Sequence, residues 1–109
     1  MIDVVSVHLI NSWAVRDEVR NGSCNVTVFA GALYMMQGVV TAGTTADIGM
    51  IPDGFRPSVQ KTFLCRSSEG SKEVTVRSDG LIQTVPGLQW VDLGSIFYTN
   101  ASDSSAAQG

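Results

Sequence analysis

Charge is scarce in this chain of 109 residues: Lys and Arg total 7, Asp and Glu total 10, and charged residues reach only 16%. An ordinary soluble domain carries roughly 25%. A basic excess is missing, which argues against a phosphate backbone as partner, because nucleic-acid binders cluster Lys and Arg on one face. Long apolar runs are missing too. The longest, Val28 to Met36, spans nine residues, short of the roughly 20 that a membrane helix needs. The opening Met1-Ile2-Asp3-Val4-Val5 has neither the basic start nor the small-residue cleavage site of a signal peptide. Two cysteines, Cys24 and Cys65, cannot build the dense disulfide framework of small secreted domains. They form either one bond or two half-buried free thiols, and neither lies in a metal-binding spacing.

Catalytic constellations are equally hard to assemble. His8 is the one histidine and sits in an apolar segment, where a structural role is the ordinary one. No nucleophile-elbow string accompanies the Ser and Asp residues, and neither a GxGxxG nor a phosphate-loop string is present. Paired carboxylates for sugar hydrolysis would have to converge on a cleft. Asp17 and Glu18 alternate to opposite strand faces, while Glu69 and Glu73 lie in or beside a polar stretch. The composition asks for no enzyme, no metal and no cofactor.

What is abundant is β-branched: 14 Val, 6 Ile and 8 Thr stand against 6 Leu, 2 Lys and 3 Glu. Branched Cβ atoms lose rotamer freedom in helices and pack well on pleated sheets. Eleven glycines and three prolines punctuate many short elements. The segment Ile2 to Ile10 reads as a first strand. Trp13 to Val19 alternates, with Trp13, Val15 and Val19 on one face and Arg16, Glu18 and Arg20 on the other; Asp17 interrupts the apolar side and suggests a sheet edge. Asn21-Gly22 carries the tight-hairpin signal.

Asn25 to Gly43 is apolar on both faces. Ala, Leu and Met allow a helix over 30–37, while Gly31, Gly38 and the flanking Val and Thr favour one or two strands. A strand apolar on both faces needs cover on both sides, and a second copy of so short a chain can supply it. Thr41 to Ser58 reads as loop-rich, with an apolar step at Ile48 to Ile51 and turn chemistry at Pro52-Asp53-Gly54. Val59 to Arg66 is a strand with Phe63 and Cys65 on one side and Thr62 and Leu64 on the other. Residues 67–73 read as a polar loop. Residues 74–85 form a hairpin turning at Asp79-Gly80, and Gln89 to Asn100 is the last strand, with Ile96 and Tyr98 continuing the face of Trp90. These segments predict an all-β fold: a compact antiparallel sandwich of jelly-roll type with about seven to nine strands. The sandwich domain spans 1–100, and 101–109 form a flexible polar tail.

Sugar sites commonly pair an aromatic face with carboxylate and guanidinium partners for the hydroxyls. Trp13, Arg16 and Asp17 place those three groups within five residues and are the candidate saccharide site. A core tryptophan flanked by solvated charges is the competing reading of the same residues. Arg56, between Phe55 and Pro57, is either a loop anchor or a partner contact.

The second half of the chain resembles a known family. Gly49, Pro52, Gly54, Phe55, Arg56 and Pro57 match a Gly-x-Leu/Ile-Pro-x-Gly-Tyr/Phe-Arg-Pro turn. Val76, Asp79, Gly80 and Ile82 match a V-x-Asp-Gly-x-Ile hairpin. Trp90, Leu93, Ile96, Phe97 and Tyr98 match a closing Trp-x-x-Leu-x-x-Ile-Tyr/Phe-Tyr strand. In this order, over about Val26 to Asn100, the pieces resemble the C-terminal head domain of bacteriophage tail-fibre and baseplate receptor-binding proteins. The resemblance implies a homotrimeric β-sandwich in the virion tail or baseplate, made in the host cytoplasm. It also implies a non-catalytic adhesin that binds host cell-surface polysaccharide and other virion tail proteins, without nucleic-acid binding or membrane insertion. The alternatives are a capsid or baseplate decoration protein and, less in keeping with the missing acid pair, a depolymerising enzyme. A trimeric module of the C1q or TNF type is the fold alternative, which the Pro-x-Gly-x-Arg-Pro turn disfavours. The matched residues Pro52, Gly54, Arg56, Pro57, Asp79, Gly80 and Trp90 look structural.

Overall fold

The computed structural model describes residues 2–16, 23–29 and 33–99, and the statements below concern those residues. They form twelve short strands and one 3-10 turn (Leu93–Ser95), with no α-helix among the described residues. The first strands are β1 (Ile2–Ser6), β2 (His8–Leu9), β3 (Ala14–Val15), β4 (Asn25–Phe29), β5 (Leu33–Gln37) and β6 (Val39–Thr41). They are followed by β7 (Asp47–Met50), β8 (Lys61–Ser67), β9 (Gly70–Val76), β10 (Leu81–Gln83), β11 (Trp90–Asp92) and β12 (Phe97–Thr99). A four-stranded sheet runs β1-β4-β5-β12, and an eight-stranded sheet runs β2-β7-β10-β9-β8-β11-β6-β3. Every pairing is antiparallel. The expected all-β architecture is therefore present, as two sheets that nearly close on one another.

The strand number exceeds the expected seven to nine because the chain changes sheet inside segments that read as continuous. Ile2 to Ile10 divides at Val7: β1 pairs with β4 in one sheet and β2 with β7 in the other. Buried Val7 marks the crossing, and its N–H donates to the Cys24 carbonyl at 3.1 Å. The last segment divides likewise. Asp92 caps the 3-10 turn, its Oδ1 accepting from the Gly94 N–H at 2.8 Å, and β12 emerges in the four-stranded sheet. Trp90 and Tyr98 consequently belong to different sheets, not to one continuous face. The stretch over 33–37 is a strand, not a helix. The predicted loop over 67–73 is instead a tight reversal, with β8 and β9 paired from Lys61↔Val76 through to Ser67↔Gly70. Ser67 Oγ donates to the Gly70 carbonyl at 2.6 Å and accepts from the Glu69 N–H at 3.1 Å. That side chain closes what polarity alone suggests is a loop.

Alternation places the core. Val26 and Val28 of β4 with Tyr34 and Met36 of β5 face Val40, Ile48, Cys65, Val74, Val76, Ile82 and Val91 of the larger sheet, all buried. Each such side chain contributes roughly 1.5–3 kcal/mol by leaving water. The other face of the four-stranded sheet is apolar as well. Cross-strand register sets Val4 opposite Thr27, Thr27 opposite Met35 and Met35 opposite Phe97. Val4, Met35 and Phe97 are exposed at 61%, 39% and 59%. The doubly apolar reading of 25–43 is thus correct for β4 and β5, with one face in the core and the other open. As expected for the segment after Trp13, β3 lies at a sheet edge. The Asn21-Gly22 turn and the 101–109 tail fall outside the described residues.

Candidate functional site

The three matched sequence pieces meet in space. Pro52 to Phe55 form a turn, with the Phe55 N–H donating to the Pro52 carbonyl at 3.1 Å and Gly54 at φ +92°. Arg56 turns back, and its Nε donates to the Ile51 carbonyl at 2.7 Å. Beside it lies Gly80, at φ +93°, whose carbonyl accepts from the Ile51 N–H at 2.9 Å. Asp79 shapes that second turn, accepting from Arg77 Nη2 at 2.9 Å and from the Leu81 N–H at 3.1 Å. Tyr98 reaches in from β12: its hydroxyl donates to the Phe55 carbonyl, and its ring stacks on Tyr34 at 5.3 Å between centroids. Arg56 is accordingly a loop anchor. Buried Pro57 seats the end of the same loop. These residues lock a loop, a hairpin and the closing strand together, a structural task.

The residues expected to bind saccharide separate. Trp13 follows a tight turn in which Asn11 and Ser12 take φ of 54° and 68°, and its backbone N–H donates to the Ile10 carbonyl at 3.0 Å. The indole is only 6% exposed, and its N–H donates to the Thr45 carbonyl at 2.8 Å. It lines a cleft of about 90 Å³ with Gly43, Thr44, Pro86, Gly87 and Leu88. So much ring is buried that no pyranose can lie flat on it. Arg16 does not turn toward Trp13. Its guanidinium carbon lies 5.2 Å from the ring centre of Trp90. Asp17 lies outside the described residues.

Trp90 is an aromatic that the matched closing strand marks as structural. It is half-buried on β11, whose neighbour Val91 points into the core, so Trp90 faces outward by alternation. Arg66, outward on β8, brings a second guanidinium carbon to 5.9 Å from the same ring. The sheet order β8-β11-β6-β3 puts the two arginines on opposite sides of the strand that carries the tryptophan. Arg16 and Trp90 come from opposite ends of the chain, so no local motif signals their meeting.

Other chemistry is sparse. Among the described residues no group of three or more His, Cys, Asp or Glu side chains is placed to hold a metal ion, and none of the helical structure is long and apolar enough to cross a membrane. His8 is exposed on β2. Cys24 and Cys65 are both free and buried. Burial pushes the Cys24 thiol up to about 12, and burial with the nearby Asp92 charge pushes Cys65 up to about 11. Neither is a nucleophile near neutral pH, where only a thiolate reacts.

No family model matches the chain. No curated protein matches it either. Among solved structures it is similar to the crystal structure of the receptor-binding protein gp15 of Listeria phage PSA, with a TM-score of 0.75 and 16% sequence identity. The superposition covers 94% of this chain and 67% of that one. The ordered motifs and the superposed backbone agree: this chain has the fold of a phage receptor-binding protein domain.

Proposed function

We propose that this protein is a non-catalytic virion adhesin, the head of a tail fibre or baseplate appendage that attaches the phage to saccharide on the host surface. The observation that carries this reading is the fold shared with a phage receptor-binding protein, reached independently through the order of the turn, hairpin and closing-strand motifs. Three further features suit it. The chain is poor in charge, at 16%, and carries 12 Ser, 8 Thr and 11 Gly, a composition fitted to hydroxyl-bearing ligands. The acids of the sequence, Asp17 beside Glu18 and Glu69 near Glu73, offer no evident pair for sugar hydrolysis. An outward aromatic, Trp90, stands beside two guanidiniums, the pairing that saccharide sites use.

The active form in this reading is a homotrimer. The exposed row Val4, Met35 and Phe97 gives each protomer an apolar sheet face that a second and third copy would cover around an axis. Adsorption of the purified protein to host cells tests the function: saturable binding that disappears when surface polysaccharide is stripped is the expected result. Failure to bind cells, combined with binding to virions that lack this protein, would instead favour the decoration role.

A further inference from the structure

The surroundings of Trp90 carry more than a generic sugar platform. Two permanently charged guanidiniums lie within 6 Å of one half-buried indole, although the chain has only 7 basic residues. Both stay ionised at any working pH. Arg66 has no carboxylate partner among the described residues. Glu73 stands opposite Leu64 on the same face of the β8–β9 pair but makes no ion pair with Arg66. Asp92, two residues beyond Trp90 on β11, has its Oδ1 engaged by the Gly94 N–H. The contact with the ring holds both guanidiniums near the surface, so less side-chain freedom is lost when they bind a ligand.

From this arrangement we infer that Trp90, Arg66 and Arg16 form a platform for an acidic saccharide, one bearing a carboxylate or a phosphate; the inference rests on the saccharide-binding reading above. The apolar face of a sugar ring stacks on the open part of the indole. Its anionic group is taken by the planar donor fork of Arg66, which matches carboxylate and phosphate in bidentate geometry. Arg16 adds a second positive charge from the far side of the ring-bearing strand. A neutral sugar would gain the stacking and leave the Arg66 guanidinium without an anion. The platform belongs to the eight-stranded sheet and the apolar row Val4–Met35–Phe97 to the four-stranded one, so a trimer built on that row leaves the platform accessible.

The test is calorimetric titration of the full chain with three probes: a uronic-acid oligosaccharide, a phosphodiester-linked glycan, and a neutral glycan of matched length. The expected result is binding of one or both acidic probes in preference to the neutral one, weakening as salt rises. Arg66→Gln is expected to lower acidic-probe affinity about tenfold or more, with Arg66→Lys recovering part of it and Trp90→Phe intermediate. Binding confined to one acidic probe identifies the anion and supports the platform. Equal affinity of wild type and Arg66→Gln, or preference for the neutral glycan, overturns the platform while leaving the adhesin reading intact. A folded protein that binds no probe and no host cell overturns both.

Discussion

The guanidinium of Arg56 occupies the space that a side chain on Gly80 would need: an added Cβ would lie 2.5 Å from Arg56 Nε and 2.6 Å from the Ile51 carbonyl oxygen. Two motifs some two dozen residues apart in the sequence thereby become one joint. Gly80→Ala is expected to cost about 3 kcal/mol or more, combining positive-φ strain with forced displacement of backbone and guanidinium. Gly54 takes nearly the same φ, +92°, but an added Cβ there meets nothing within 4 Å. Gly54→Ala should cost only about 1 kcal/mol. Chemical denaturation of the two variants checks the difference, which would vanish if Gly80 served only its turn.

Tyr98 is the second lock on that joint. Its hydroxyl donates to the Phe55 carbonyl from the opposite sheet. Tyr98→Phe keeps the ring and its stacking on Tyr34 while leaving the carbonyl without its donor, a loss of about 1–3 kcal/mol. Hydrogen exchange should show the added opening concentrated in the 52–58 loop; uniform loss of protection would mean that the hydroxyl does not anchor it.

Alkaline pH should destabilise the fold. Burial raises Cys24 from 9.0 to about 12 and Cys65 to about 11, and burial beside Tyr34 raises Tyr98 as well. The folded state therefore holds these protons after the unfolded chain has begun to release them. Their contribution is complete below about pH 9 and declines as pH climbs through the folded values. Urea midpoints should fall between about pH 9 and about pH 11, and fall less steeply in Cys24→Ala. In the native protein at pH 8 both thiols should react with a thiol reagent only as fast as the protein opens.

Assembly can be separated from folding at Met35 and Phe97. Both are exposed on the outer row of the four-stranded sheet, so Met35→Glu should change monomer stability by less than about 1 kcal/mol, and Phe97→Glu by about 1 kcal/mol more, because its ring meets Phe63 at 6.2 Å between centroids. In a trimer packed through that row they would bury charge without a partner. Light scattering should report a trimer for wild type and a monomer for the variants. A wild-type monomer at micromolar concentration would contradict the assembly.

Much of the fold is legible in the sequence. Alternation marked Phe63 and Cys65 against Thr62 and Leu64, and the doubly apolar character of β4 and β5 pointed to an open face. The turn signals at Pro52-Asp53-Gly54 and Asp79-Gly80 mark real reversals. Sheet changes at Val7 and at the 3-10 turn were not legible, because an apolar run looks alike whether it stays in one sheet or crosses to another. The reversal at Ser67–Gly70 was hidden by its polarity, since the closing bonds come from a serine hydroxyl. The candidate site was the least legible part. Trp13 stood beside Arg16 in sequence and suggested a local cluster, but a strand directs neighbouring side chains to opposite faces. Arg16 thus meets Trp90 across the sheet while Trp13 turns into the core. Contacts of that kind depend on strand order, which no local pattern encodes.

Adsorption to the host tests the central claim most directly. Fluorescently labelled wild-type protein, verified as folded, is titrated onto host cells and onto cells stripped of surface polysaccharide. The adhesin account predicts saturable binding to intact cells, loss on stripped cells, and competition by the released polysaccharide without any fresh reducing ends. Equal retention on stripped and intact cells, or none on either, would contradict it.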